Sequence, residues 1–218
     1  MEADFWHNRW KNNLTGFHLD EVNPHLIQNW SALNLKPGAR VFVPLCGKTL
    51  DLIWLAEQGY QVVGIELSPL AIETFFAENN LTVRRSDIGG LEFWHSENIS
   101  LFCGDFFNLT TEILGKIDAV YDRASLIALP PAMRQDYAAK LISLTQLAPK
   151  LLITLEYDQA KMDGPPFSVS NDEVITLYQK DYVVHQCVAQ DVLDDNPRFR
   201  EKGLEFMKEC VYQLCAGN

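Results

Sequence analysis

No two of the five cysteines (Cys46, Cys103, Cys187, Cys210 and Cys215) stand in a C-x-x-C pair, their number is odd, and the five histidines do not cluster. Neither a disulfide framework nor a zinc site is indicated. No apolar run reaches the roughly 18 residues that a membrane-spanning helix needs. The first 30 residues alternate aromatics with charges where a signal peptide would carry its apolar core. The expected compartment is therefore a reducing cytoplasm. A basic run or stripe is also missing, since 18 Lys and Arg face 29 Asp and Glu for a formal net charge of −11. DNA, RNA and anionic membranes repel such a surface, which leaves a small molecule as the expected partner. No Ser–His–Asp set, paired carboxylates or internal repeat suggests a hydrolase or a solenoid.

What is present fits a single domain spanning residues 1–218, with 47% hydrophobic and 11% aromatic residues to build a core. The organising stretch is 39–67. Val41, Phe42 and Val43 form a short apolar run behind a Pro37-Gly38 turn, the pattern of a buried parallel strand. The loop Pro44–Lys48 follows, then Leu50, Ile53, Trp54 and Leu55 at helical spacing, with Gly59 placed to end that helix. Gln61 to Leu67 reads as a second strand with Glu66 at its carboxyl end, completing a crossover unit of about 30 residues.

Ligands of open α/β sheets sit outside the carboxyl ends of the strands, so the 44–48 loop and Glu66 face one crevice. Glu66 lies 19 residues after Gly47, close to the spacing of an acid that binds a ribose hydroxyl pair. Capping of the helix that opens at Ser68-Pro69 is the other reading. The loop has one glycine where a dinucleotide fingerprint requires three, and Phe42 stands where a P-loop needs its first glycine. An adenosyl ligand without phosphates, such as S-adenosylmethionine, fits this combination better than a nucleotide.

Phe5, Trp6 and Trp10 recur at helical spacing near the start of the chain. They read either as the core face of a terminal helix or as an aromatic cap over a cationic ligand. Asn23-Pro24 opens a second helix with an apolar stripe of Leu26, Ile27, Trp30 and Leu33. Residues 1–36 are expected to be a helical lid on the same domain. Further strands are expected at Ile99–Cys103, Ala119–Tyr121, Leu151–Leu155, Tyr182–Val188 and, antiparallel, Leu204–Leu214, with a small hairpin-like excursion inside 81–98. Asp105 and Phe106 follow the third strand, where they either bind an adenine or simply turn the chain into a helical segment at 110–111. Arg123 follows the fourth strand, either reaching the crevice or pairing with Asp122. Pro130-Pro131 begins a helix running to about Leu147, and the stiff loop 156–170 is placed to wall a substrate pocket. Ser170 and Glu173 form a capping box.

The stretches FWHNRW with TGFH, VPLCGKTLDLIWLA, GIELS, YDRASLIALP, LLITLEYDQ and GPPFSV, spread from about residue 4 to 214, together resemble the thiopurine S-methyltransferase family, in particular its bacterial branch. The resemblance implies an α/β, Rossmann-like class I methyltransferase fold: a seven-stranded, mostly parallel sheet with an antiparallel last strand and helices on both faces. It implies a monomer that methylates a small-molecule thiol, such as a thiopurine, with S-adenosylmethionine. Trp10, Leu45, Glu66 and Arg123 would contact that cofactor, with the adenine near Asp105 and Phe106. Phe17, Arg123 and Arg198 would lie at the acceptor, Arg123 with a catalytic part, and Arg200 stands close enough to compete with Arg198 for that place. Another soft nucleophile (a selenium or tellurium species, or halide) as acceptor, or adenosyl-ligand binding without catalysis, are the alternative functions.

Overall fold

The computed structural model describes residues 3–16 and 18–217. The chain opens with α1 (Ala3–Lys11), which carries Asp4 in its first turn and Arg9 and Lys11 in its last, charges that suit the helix dipole. In α2 (Pro24–Asn29), the Asn23 side chain accepts from the backbone N–H groups of His25 (2.8 Å) and Leu26 (3.3 Å), and proline fills a position that needs no donor. The chain then tightens into a 3₁₀ turn at Trp30–Leu33, ended by left-handed Asn34. Leu26 and Trp30, four residues apart, form the buried stripe; Ile27, one step round the helix, is 51% exposed rather than part of that stripe.

From residue 40 strands and helices alternate as β1 (Arg40–Val43), α3 (Asp51–Glu57), β2 (Gln61–Glu66), α4 (Pro69–Glu78), β3 (Arg84–Ile88), β4 (Leu91–Ser96), β5 (Ile99–Cys103), α5 (Thr111–Leu114) and β6 (Ala119–Arg123). There follow α6 (Ser125–Ala128), α7 (Pro131–Thr145), β7 (Lys150–Glu156), α8 (Asn171–Tyr178), β8 (Tyr182–Asp191), α9 (Pro197–Arg200) and β9 (Lys208–Ala216). Among the described residues all strands join one sheet in the order β3-β4-β5-β2-β1-β6-β7-β9-β8. β5, β2, β1, β6 and β7 run parallel, and β9 is inserted antiparallel between β7 and β8. These seven are the expected seven-stranded plan. The 81–98 excursion extends the sheet to nine strands, because the hairpin of β3 and β4 pairs antiparallel with β5. Its Gly89-Gly90 turn takes positive φ at both residues, which side chains resist, and Phe93 packs 4.9 Å from Phe102 across the ladder.

Successive strand residues point to opposite faces, so each buried strand feeds two cores. Phe42, Val63, Phe102, Val120 and Leu152 pack with Tyr137 and Leu141 of α7 and Tyr178 of α8. Val41, Val62, Leu101, Tyr121 and Ile153 pack with Leu26, Trp30, Phe75 and, from α3, Leu52 and Leu55. The rest of the stripe expected on α3, Leu50, Ile53 and Trp54, is only half-buried. β6 runs two residues further than its apolar run, in register with Leu152 and Ile153, so Asp122 and Arg123 belong to the strand and face opposite sides. No helix among the described residues is long and apolar enough to cross a membrane. The parallel strands gather their carboxyl ends, and the loops that follow them, at one edge of the sheet.

Lys150 starts β7 at the opposite edge and is 1% exposed. Its Nζ donates to Thr145 Oγ1 (3.0 Å) and lies 4.7 Å from the centre of the Tyr182 ring. Burial pushes its pKa down to about 7, opposed by the Asp122 carboxylate. Between that value and the ordinary lysine range the unfolded chain binds the extra proton, so stability rises with pH across that window; below it the cost of burying the charge applies in full. Relative to Lys150→Met, the wild type is expected to gain about 2–4 kcal/mol of unfolding free energy between about pH 7 and 10. Urea unfolding of both proteins along that series measures it, and a difference that stays constant with pH contradicts the assignment.

Candidate active site

The turn after β1 is held in an unusual backbone conformation. Leu45 (φ +46°) and Gly47 (φ +55°) are both left-handed, a region that costs an ordinary side chain and that glycine adopts freely. This geometry aims the Gly47 N–H at Glu66 Oε2 (2.9 Å) and brings the Cys46 N–H to the Ile65 carbonyl (3.0 Å). A Cβ on Gly47 would stand 3.2 Å from Cζ2 of Trp10, so the 7%-exposed indole of α1 rests directly on the loop. Of the aromatics of α1, Trp10 is thereby packed against the turn after β1, while Phe5 and Trp6 are half-buried.

Glu66 closes β2 and is buried. Its Oε1 accepts from the Ser68 N–H (2.8 Å), so the carboxylate ties the turn after β1 to the turn after β2. Burial pushes its pKa up, while the N–H groups of Ser68 and Gly47 pull it back. Capping of α4 itself falls to Ser68, whose Oγ accepts from the Ala71 N–H (3.4 Å). Each Glu66 oxygen accepts one of these N–H groups, and a carboxylate oxygen can accept two. The thiol of Cys46, between these groups in sequence, is pushed well above its ordinary pKa by burial and by the Glu66 charge, which makes it packing rather than a nucleophile.

Gly104 donates to the Glu66 carbonyl (2.9 Å), which sets the following Asp105 beside the same crevice. Asp105 is exposed, and its Oδ1 caps the short 3₁₀ helix Phe106–Asn108 through the Phe107 N–H (2.9 Å). Phe106 is 5% exposed, with its ring 4.9 Å from that of Tyr137 and 5.4 Å from that of Phe107, so it forms floor rather than an open face.

Arg123 ends β6 on the Tyr121 side. Its neighbour Asp122, 1% exposed, turns the other way and accepts from Tyr137 Oη (2.8 Å), with burial pushing its pKa up to about 6. Asp122 therefore serves Tyr137 on the far face. Burial and the Lys48 charge, with a smaller contribution from Arg123, lower the pKa of His18, opposed by Asp20 and Glu78. From the far side Arg198 Nη2 donates to the Gly16 carbonyl (2.8 Å), and its Nη1 lies 2.8 Å from where a Gly16 Cβ would stand. Arg200 turns to Asp194. Of the two arginines, Arg198 is the one that meets the N-terminal segment. Phe17, next to Gly16, lies outside the described residues.

Several residues of the site give no warning in the sequence. Asp51, 1% exposed at the start of α3, accepts from the Asn23 N–H (2.8 Å) through Oδ1 and from Tyr121 Oη (2.8 Å) through Oδ2. It thereby joins the N-terminal segment to the strand that carries Arg123. Ser125 Oγ donates to the Pro44 carbonyl (3.2 Å), joining α6 to the turn after β1. An acid inside an otherwise apolar helical run was the one available signal for Asp51. Among the described residues no group of His, Cys, Asp and Glu is placed to hold a metal.

The comparisons with known proteins agree with this layout. The crystal structure of an S-adenosylmethionine-dependent methyltransferase from Thiobacillus denitrificans, in complex with S-adenosylhomocysteine, superposes with a TM-score of 0.64 over 100% of this chain and 99% of that one, at 17% identity. A methyltransferase of the same general description from Anabaena variabilis gives 0.65 over 99% and 95%, at 14% identity. At such identities the likeness speaks for the fold, that of the class I methyltransferases. In sequence, the thiopurine S-methyltransferase of Shewanella woodyi is 50% identical over 221 residues, 98% of each chain. That of Pseudomonas aeruginosa is 48% identical over 218 residues, 100% of each. The family profile described as thiopurine S-methyltransferase matches residues 1–217, and with the sheet order and the strand-end acid in place, the chain belongs to the thiopurine S-methyltransferase family.

Proposed function

We propose that this chain transfers a methyl group from S-adenosylmethionine to the sulfur of an aromatic or heterocyclic thiol such as a thiopurine. The observation that carries the reading is the buried Glu66 carboxylate at the end of β2, bonded to Gly47 with Trp10 lying over the same turn. That donor set suits an adenosyl sulfonium: a strand-end acid for the ribose, an aromatic ring beside the site for a cation, and a glycine-poor turn for a ligand without phosphate. Trp10, Leu45, Glu66 and Arg123 would hold it, with Asp105 and Phe106 at the adenine. When bound, it supplies an electrophilic methyl that a sulfur nucleophile displaces in line. Alignment and a dry path are then the main demands on the protein. Arg123 and Arg198 hold positive charge near the acceptor and favour thiolate over thiol; the resemblance assigns Phe17, outside the described residues, to the acceptor as well. We read residues 1–36 as a lid on a single domain spanning residues 1–218, and the protein as a monomer of the cytoplasm. The net charge of −11 supports a small acceptor over nucleic acid. Purified protein with methyl-labelled cofactor should label an aryl thiol, and the absence of label across a panel of aryl thiols rejects the proposal.

Glu66→Ala removes charge-assisted hydrogen bonds to the ribose and should weaken S-adenosylhomocysteine by about 1.5–3 kcal/mol. Calorimetric titration reads this directly, and an unchanged dissociation constant refutes the ribose assignment. The lid reading makes a separate claim about residues 4–16: their amide exchange should slow when S-adenosylhomocysteine binds, because opening is then linked to ligand release. Mass-spectrometric exchange that is identical with and without ligand counts against it. For the acceptor side, Arg123→Ala should lower kcat/KM at saturating cofactor, and Arg123→Lys should recover only part, since lysine keeps the charge and loses the planar fork. The loss should be larger for acceptors that are mostly neutral thiol at the assay pH. A uniform loss over a series of aryl thiols of graded pKa would place Arg123 on the cofactor alone.

A further inference from the structure

Arg134 is the largest of the fully buried side chains, 1% exposed in the first turns of α7, and the reaction described above makes no use of it. A buried guanidinium is costly unless it is paired and its N–H groups are satisfied. Here Nε and Nη1 find partners in three different segments, while Nη2 is buried without one. Nε donates to the Leu129 carbonyl (3.0 Å), at the end of the stretch that follows Arg123. Nη1 donates to the Ser168 carbonyl (3.0 Å) in the loop after β7 and to both oxygens of Glu173 (2.8 and 2.7 Å) at the start of α8. The guanidinium also lies 5.9 Å from the centre of the Phe167 ring. Glu173, expected to complete a capping box by reaching back to Ser170, spends its carboxylate on Arg134; only the Ser170 half of the box, Oγ accepting from the Glu173 N–H (3.2 Å), is formed.

The segments so joined are two walls of one crevice. Residues 124–130 leave the carboxyl end of β6 directly after Arg123, and residues 157–170 leave the carboxyl end of β7 beside it. The walls touch through the Phe167 N–H and the Ile127 carbonyl (2.6 Å). The second wall is bonded within itself by Tyr157 Oη to the Pro166 carbonyl (2.6 Å) and by Ser168 Oγ, which accepts from the Tyr157 N–H (3.0 Å). Gly164 leaves room for the Phe167 ring, which would come within 2.5 Å of a Cβ there. Arg134 reaches both walls and α8 at once through Nε and Nη1, and Lys has no fork with which to do so.

We propose that Arg134 is a positioning residue for the acceptor: with Glu173 it sets the distance between the 124–130 and 157–170 walls, and so the width of the slot that takes the thiol, without touching substrate or cofactor. The inference rests on the methyl-transfer reading above. It assigns the cofactor side to loops that Arg134 does not reach, which makes its effect separable. Arg134→Lys should raise the KM of an aryl thiol about tenfold while kcat changes by less than about threefold, the signature of lost uniform binding. Titration with S-adenosylhomocysteine should give the same dissociation constant, and its stoichiometry counts the folded sites. Glu173→Gln, which leaves the Leu129 and Ser168 bonds intact, should shift KM the same way by less, and it serves alone if the lysine variant fails to fold. An unchanged acceptor KM with a lower Tm makes Arg134 a purely structural residue and overturns the proposal. So does a loss of S-adenosylhomocysteine affinity that matches the loss in KM. A wild type that methylates no aryl thiol overturns the reading of the site, whereas an active wild type with unaffected variants overturns only the role of Arg134.

Discussion

A carboxylate removed from water has to be met by donors, and Glu66 is met by two backbone N–H groups from two different turns. Much of the crevice follows from that requirement. The Gly47 N–H reaches Oε2 only because residue 47 is left-handed, which makes glycine the natural occupant. The lack of a side chain at 47 then lets the Trp10 indole lie on the backbone, which fixes where α1 docks. Leu45 shares the strained turn without glycine's freedom and is held by its surroundings, a pattern that favours functional loops over structural ones.

Two further acids work at a distance from any ligand. Asp51 sits under the junction of the N-terminal segment with β6 and accepts from one member of each. Trp30 packs against Tyr121 with rings nearly perpendicular (86°), so the same junction is closed by an aromatic contact as well as by the acid. Asp122 lies on the other face, bonded to Tyr137 and influenced by Lys150 from the far end of β7. Tyr121, Asp122 and Arg123 are successive residues, and the strand sends the first and third to the face that packs on α3 and the second to the face that packs on α7. One three-residue stretch therefore couples both layers to the crevice.

Much of this was readable from the sequence, and the part that was not has a common cause. The apolar runs of β1, β2, β5 and β7, the stop at Gly59 and the caps at Asn23 and Ser170 are local signals, and each element falls where its signal lies. Glu66 was visible because strand-end spacing is also local. The Gly16–Arg198 bond spans 182 residues, the Asp51–Tyr121 bond 70 and the Arg134–Glu173 pair 39. No periodicity links such partners; only the folded topology brings them together. The contact of Phe106 with Tyr137 of α7 is likewise set by the fold, 31 positions apart in sequence. The hairpin of β3 and β4 was visible as an excursion, while its joining of the main sheet depended on aromatic pairing across β5 that pattern alone does not reveal.

The place of β9 has a bearing on how the protein comes to exist. It is the last strand in sequence, yet it lies inside the sheet, paired with β7 on one side and β8 on the other. While the chain is being made, β7 presents an open row of backbone donors and acceptors for as long as residues 208–216 are missing, and β8 has no neighbour at all. An unpaired edge of that kind invites association with other chains. Closure of this half of the sheet therefore waits for synthesis to pass β9, which ties the maturation of the crevice to a segment that contributes nothing to its chemistry.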